Sequence, residues 1–521
     1  MAHVPPNELI FISPSNDKVF HQPGEPIKCK WRESLTTHIP SPHCSHDWKQ
    51  KYPKLVFPDV LSMIGNTPMV KLNNIPKSAG VECNIYAKCE FVNPGGSVKD
   101  RMVKRIFEDA ERQGLIKPGM TIIEQSSGNT GIAVALICAL KGYKCIIVMS
   151  EKISGEKEAV ITSLGASVVR CPVNAPLDAP DGMWGAAHRL RNEIPNSFIF
   201  DQFSHPGNPL THYDTTALEI LDQLDNKVDM IVFGGGTGGT VTGIGRKFRE
   251  VSPHTKLVGF DPVGSKYACP ASLNETDVTF FEIEGIGYTV VPPTLDQGVM
   301  DYWIKTTDLE ALPMCRRLMR EEGLLVGMSS GAALVAALKA AKGLKKGQNC
   351  VIMLPDSIRN YMTKFVSDRW MDAKGYQPCE NKYNVWWWNQ KVSDIKYNTP
   401  LIVNTTDSLE KALNLLQSQK RNEAAVVESN RNLVGTVDIP TIQNKILSQT
   451  LKPSDPVDRC TSRILPKLTK DSILGRAYRI IENDHFAIVI ETTGSGGNKI
   501  ETPIGVIYGE DIFNYAATKQ N

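Results

Sequence analysis

From about residue 53 to 375 the chain alternates short apolar runs with amphipathic stretches. TIIEQ (121–125) is followed by NTGIAVALICALKGY, and DMIVF (229–233) by a glycine loop and TVTGIGRKFRE. Short apolar runs bounded by turn residues predict strands, and the longer stretches between them predict helices. Regular alternation of the two predicts a mostly parallel sheet covered by helices, an α/β fold.

The flanks follow other patterns. Residues 1–52 are rich in Pro, His and Ser with weak periodicity, which predicts an extension outside the core. Residues 376–390 form a polar linker that carries Trp386, Trp387 and Trp388. Residues 391–521 contain a repeat: Asp407-Ser408-Leu409 opens a helical pattern followed by strand-like AAVV and LVGTV, and Asp471-Ser472-Ile473 opens another followed by FAIVI and PIGVIY. Neither unit could bury its apolar face alone, so the two are expected to pack together. Asp407 and Asp471 stand where helix N-caps are expected, a structural role.

Composition narrows the class. At 521 residues the chain is too long for one core, and two or three domains are expected. A formal net charge of +2 predicts neither a nucleic acid nor a membrane surface as partner. No apolar run is long enough to span a bilayer, and the start MAHVPPNELIF predicts no secretory signal. Twelve cysteines include no CxxC pair, and several, such as Cys138 and Cys145, fall in apolar runs. That pattern predicts buried reduced thiols and a cytoplasmic protein.

Four segments of the middle region carry chemistry. Lys99 follows the glycine turn of Asn93-Pro94-Gly95-Gly96-Ser97-Val98. Held at the edge of a pocket, it could shed its proton and form an imine. Ser126-Ser127-Gly128-Asn129-Thr130-Gly131 follows a predicted strand and opens a helix, where free N–H groups can bind a carboxylate. Gly234-Gly235-Gly236-Thr237-Gly238-Gly239-Thr240 repeats that placement. It has neither the GK[ST] ending of a Walker loop nor GxGxxG spacing, so a phosphate monoester is the expected ligand. Gly327-Met328-Ser329-Ser330-Gly331 precedes another helix, and its serine could face an aromatic nitrogen. Each segment alone has an ordinary explanation: an exposed lysine, a flexible turn, a capped helix start. Together they supply a lysine for an imine, a nest for a phosphate, an amide for a ring hydroxyl and a serine for a ring nitrogen. That set describes pyridoxal phosphate.

PGGSVKDR, SSGNTG, GGGTGGT and GMSSG resemble the signature segments of the fold-type II pyridoxal-phosphate enzymes. PDSIRNYMTKFVSDRW (355–370), EGIGY (284–288) and NPLTHYDTTA (208–217) resemble the animal-type cystathionine β-synthase family in particular, with similarity from about Cys29 to the C-terminus. The resemblance implies a core of two three-layer α/β subdomains followed by a tandem CBS-type regulatory module, in a homodimer. It implies that Lys99 holds the cofactor and later moves protons. Gly236, Thr237, Gly238, Gly239 and Thr240 would cradle the phosphate, Asn129 the ring hydroxyl and Ser329 the pyridine nitrogen. Ser126, Ser127, Gly128 and Gln202 would receive the substrate carboxylate, and Tyr213, Gly285 and Tyr288 would line the pocket. The implied reaction joins serine and homocysteine to give cystathionine and water, with hydrogen sulfide from cysteine as a side activity. A cysteine synthase or serine sulfhydrylase is the neighbouring alternative, and a non-catalytic adenosine sensor is one of another class.

The resemblance also assigns Cys29 and His43 as axial ligands of haem b, with Arg246 beside the thiolate; His38, Cys44 and His46 are rivals. In the repeat, the family's adenosine-binding pattern is a glycine, two apolar residues, a small hydroxyl residue and an Asp for the ribose. The second unit keeps Asp511 but has Tyr508 at the hydroxyl position, and the first has Thr441 where the acid would fall. A phenol there would compete for the adenosine space, so S-adenosylmethionine binding is expected to be weak or lost.

Overall fold

The structure is a computed structural model that describes residues 56–126, 128–150, 153–171, 179–180, 182–278, 280–382, 384–463, 467–494 and 499–518. Met1–Pro58 separates as one unit and Asp59–Asn521 as a second, compact one. In chain order the strands are β1 (Met69–Leu72), β2 (Asn84–Cys89), β3 (Thr121–Gln125), β4 (Lys144–Ser150), β5 (Ser167–Cys171), β6 (Ser197–Ile199), β7 (Met230–Gly234) and β8 (Lys256–Pro262). They continue with β9 (Tyr302–Thr306), β10 (Asn349–Leu354), β11 (Ile402–Asn404), β12 (Glu423–Val427), β13 (Leu433–Asp438), β14 (Lys467–Leu468), β15 (Phe486–Thr493) and β16 (Ile500–Tyr508).

Two sheets build the core. One is six-stranded, in the order β1-β2-β10-β7-β8-β9, and only its edge pair β1–β2 is antiparallel. The other is four-stranded, β5-β4-β3-β6, and wholly parallel. The apolar runs of the sequence are continuous rather than alternating because both faces of each sheet are buried. Along β10, Cys350, Ile352 and Leu354 join one cluster while Val351 and Met353 join another. In the second sheet Ile122 and Ile147 face one way, Ile123 and Val148 the other. Period-two geometry thus produces two three-layer subdomains. The helix Met328–Ala340 is rich in Ala because it runs inside the larger core, where helix Asp308–Glu322 crosses so closely that a Cβ on Gly331 would lie 2.1 Å from the Ala311 carbonyl.

The C-terminal repeat is visible in topology. In each unit a short strand runs parallel to the next, which is antiparallel to the third: β11-β12-β13 and β14-β15-β16. Both hairpins carry a register shift, between Val426 and Val427 in the first and between Val489 and Ile490 in the second. The leading strands β11 and β14, of three and two residues, are too short to show in the sequence pattern. Ala425, Val427, Ile488 and Ile490 form the apolar contact between the units. Ser408, rather than Asp407, caps its helix by accepting from Lys411 N at 3.2 Å; Asp407 pairs with Lys411. Asp471 is exposed and pairs with Lys391, and helix Leu474–Asp484 has no side-chain cap.

The repeat does not stand off on a loose linker. Trp388 is 0% exposed, its indole N–H donates to the Cys379 carbonyl at 3.1 Å, and it packs on Tyr478. A Cβ on Gly475 would lie 2.3 Å from its ring nitrogen, so only glycine admits it. Beside it, Arg479 of helix Leu474–Asp484 lies 3.4 Å from Asp372 of helix Asp368–Lys374. Core and repeat therefore fall within one compact unit.

Candidate active site

A cleft opens at the C-terminal ends of β3, β7 and β10, the edge where ligands of parallel sheets bind. Lys99, Ser126, Asn129, Gln202, Gly236, Thr237, Thr240, Gly285, Tyr288 and Ser329 all line it. Lys99 opens the helix Lys99–Arg112, and its Nζ lies 3.3 Å from Thr237 Oγ1 in the glycine loop. Burial pushes the Lys99 amine down to about 8, partly offset by the charge of Glu124. A neutral fraction near physiological pH is what a nucleophilic lysine requires.

The glycine loop is packed too closely by its neighbours to carry side chains at these glycines. A Cβ on Gly236 would lie 2.3 Å from the Gly285 carbonyl, one on Gly239 1.9 Å from Asn208 Oδ1, and one on Gly238 2.4 Å from Leu295 Cβ. Gly238, at φ +91°, turns the chain into helix Gly239–Val251, and Thr240 in the first turn of that helix lines the cleft. The loop is pinned from outside: Tyr267 donates to the Gly236 carbonyl at 2.9 Å, Thr294 to the Thr237 carbonyl at 2.5 Å, and Asn208 to Thr237 Oγ1 at 2.8 Å. A bare, rigid nest of donors opposite a desolvated amine fits the phosphate and aldehyde of pyridoxal phosphate.

The other donors are similarly oriented. Ser126 Oγ accepts from Gly128 N at 3.2 Å and Gly131 N at 3.0 Å, which leaves its own proton for an anion. Asn129 gives one N–H to Asp356 at 2.8 Å and accepts from Asn360 at 2.9 Å, so its second N–H is available to the cleft. Burial raises the Asp356 carboxyl above its ordinary value, and Tyr361 donates to it.

Residues 60–356 match the family described as pyridoxal-phosphate dependent enzyme. The chain is 46% identical to the cystathionine beta-synthase of Apis mellifera, over 91% of this chain and 93% of that protein. It is 44% identical to that of Dictyostelium discoideum, over 96% and 99%. The chain belongs to the cystathionine β-synthase family. Among solved structures, the O-acetylserine dependent cystathionine beta-synthase of Helicobacter pylori matches at 37% identity and TM-score 0.55, covering 60% of this chain and 98% of that one. A hydrogen sulfide-producing enzyme of Fusobacterium nucleatum matches at 36% and TM-score 0.55, covering 59% and 100%. The family membership establishes a pyridoxal-phosphate enzyme with a fold-type II α/β core.

Some expected residues are placed differently. Tyr213 does not line the cleft: its hydroxyl donates to Glu250 and Lys247 lies 3.8 Å above its ring, on the outer side of helix Gly239–Val251. Gln202 lines the cleft but donates inward, to Glu124 at 2.7 Å and the Gln125 carbonyl at 3.3 Å, while accepting from Thr130 at 2.7 Å. Its N–H groups are therefore spent before a substrate carboxylate arrives. Glu124 itself is held well above the usual carboxylate range by burial and by Asp201. Ser127, Cys29, His43 and the rivals His38, Cys44 and His46 lie outside the described residues. Arg246 pairs with Asp296 at 2.8 Å. Among the described residues no cluster of His, Cys, Asp or Glu suits a metal, no disulfide forms, and no helix is long and apolar enough to cross a membrane.

Other residues had no role assigned from sequence. Lys157 lines the cleft, and with Lys364 it pairs to Glu284 at the head of EGIGY. Gly128 is needed where a Cβ would lie 2.4 Å from Lys157 Cδ. His212, next to Tyr213, reaches the glycine loop through Thr240. Neighbouring helical positions point about 100° apart, so the segment was recognisable but the residue reaching the glycine loop was not.

In the repeat, a smaller cleft lies between the units, lined by Arg421, Glu423, Val506 and Tyr508. Tyr508 donates to Glu423, and the Arg421 guanidinium lies 5.3 Å from its ring. Asp511 accepts from Tyr508 N at 2.8 Å and from Asn398 at 3.2 Å.

Proposed function

We propose that this enzyme condenses L-serine with L-homocysteine to give L-cystathionine and water, and releases hydrogen sulfide from cysteine as a side reaction. The observation that carries the reading is the Lys99 amine facing Thr237 of the glycine loop across one cleft. The relatives from Apis mellifera and Dictyostelium discoideum, both named cystathionine beta-synthase and matched over most of their length, support it. Bound there, pyridoxal phosphate supplies the electron sink for breaking the substrate's α-C–H bond and expelling its β-substituent.

The chain's own groups then divide the work. Lys99 would hold the cofactor through its amine, and the same amine would take and return the proton at the substrate's α-carbon. Gly236–Thr240 hold the phosphate, the free N–H of Asn129 the ring hydroxyl, and Ser329, 2% exposed, the ring nitrogen. A neutral serine there leaves the ring less electron-withdrawing than a carboxylate would, favouring prompt β-elimination over prolonged carbanion chemistry. Ser126 and the backbone around Gly128 receive the carboxylate, and Gly285 and Tyr288 border the substrate. The test is product analysis with serine and homocysteine for the wild type and Lys99→Ala. Cystathionine formed at comparable rates by both proteins would overturn the assignment, and preferential use of sulfide would favour a sulfhydrylase.

The remaining assignments rest mainly on the resemblance. They are haem b on Cys29 and His43 with Arg246 nearby, a homodimer, and a cytoplasmic location. Replacing Cys29 with Ser should alter a haem absorption band while leaving turnover; an unchanged band would reject that ligand. The C-terminal repeat is proposed as a CBS-type module with Asp511 its one kept ligand residue. The phenol of Tyr508 and its bond to Glu423 support weak or absent S-adenosylmethionine binding.

A further inference from the structure

His212 begins a π-helical turn, His212–Thr216, and is 2% exposed. Glycine brings that turn against the phosphate-loop helix: a Cβ on Gly243 would lie 2.2 Å from the Pro209 carbonyl and 2.7 Å from His212 Cβ. The imidazole is thereby set between two hydroxyls, with Nδ1 2.9 Å from Thr216 Oγ1 and Nε2 3.1 Å from Thr240 Oγ1. Thr240 lines the cleft; Thr216 is 0% exposed.

These contacts fix a direction. Among the described residues the Thr216 hydroxyl has His212 Nδ1 as its hydrogen-bond partner. A fully buried hydroxyl donates its proton where an acceptor is in reach, so Nδ1 accepts and the ring proton sits on Nε2. Nε2–H then donates to Thr240 Oγ1, and the threonine's own proton is left to point into the cleft. In the opposite tautomer Thr240 would spend its proton on His212 and turn lone pairs toward a bound anion. Resting on the assignment of this loop to a phosphate, we propose that His212 is a positioning residue that makes the Thr240 hydroxyl a donor to that group. Burial, with the Arg101 charge next, holds the imidazole down to about 3, so it stays neutral with one N–H to give.

The test uses the apo form of the full chain, with pyridoxal phosphate and phosphate-free pyridoxal as probes and cofactor absorbance as the readout. His212→Leu should weaken pyridoxal phosphate about tenfold, the worth of one hydrogen bond to a charged group, and pyridoxal less than about twofold. His212→Gln, which restores an N–H near Nε2, should recover most of the loss. Thr216→Val, which leaves the imidazole but releases its tautomer, should weaken only pyridoxal phosphate, by about threefold. Equal losses for both probes, or no loss for the phosphorylated one, would overturn the proposal. Should His212→Leu fail to fold, Thr216→Val and Thr240→Val decide it by the same criterion. A wild type that captures neither probe would instead reject the cofactor reading itself.

Discussion

Two clefts in this molecule have similar raw materials and different chemistry. The catalytic cleft and the one between the C-terminal units both lie beside β-strand ends and both carry threonine, tyrosine and charged groups. In the catalytic cleft, outer contacts use up the wrong lone pairs and protons and leave donors facing inward: Ser126, Asn129 and the loop of Gly236–Thr240. In the other, Tyr508, Glu423 and Arg421 satisfy one another across the space. A concave surface becomes a site when its polar groups are oriented but unspent. The repeat has instead turned its cleft into an interface, joined to the core through Trp388.

Lys99→Ala should break the catalytic side most severely. Cystathionine formation should fall on the order of 10³-fold with the fold intact, measured by steady-state rates and circular dichroism. Next is the seam between core and repeat. Trp388→Ala removes a fully buried indole and should destabilise by about 3–5 kcal/mol, read by denaturant unfolding. An unchanged midpoint would show that the repeat is not held there. Third is pH. Because the Lys99 amine is held down to about 8, capture of cofactor by the apo protein should rise through pH 8 and then level off. An exposed lysine would keep rising toward pH 10. The apo fold should also gain stability between pH 8 and about 10, since a lysine held below its unfolded value binds fewer protons when folded. The smallest effect is in the repeat. Tyr508→Thr removes a part-buried phenol and its bond to Glu423, costing about 1–2 kcal/mol. Calorimetry on the wild type should show no tight S-adenosylmethionine binding; tight binding with a several-fold rate increase would remove the contrast between the clefts.

The sequence by itself determined the strand–helix alternation, the parallel sheets and the internal repeat, because periodicity and burial on two faces are written locally in residue order. It also placed Lys99, Asn129, Ser329 and the loop of Gly236–Thr240, since glycines and small donors before helices leave a recognisable local pattern. Only the tertiary structure decided which lone pairs and protons remain available. Gln202 is turned inward by Glu124, Tyr213 outward by Glu250, and His212 reaches Thr240 because Gly243 admits a neighbouring turn. A hydrogen bond's direction depends on the partner at its far end, and those partners come from distant parts of the chain.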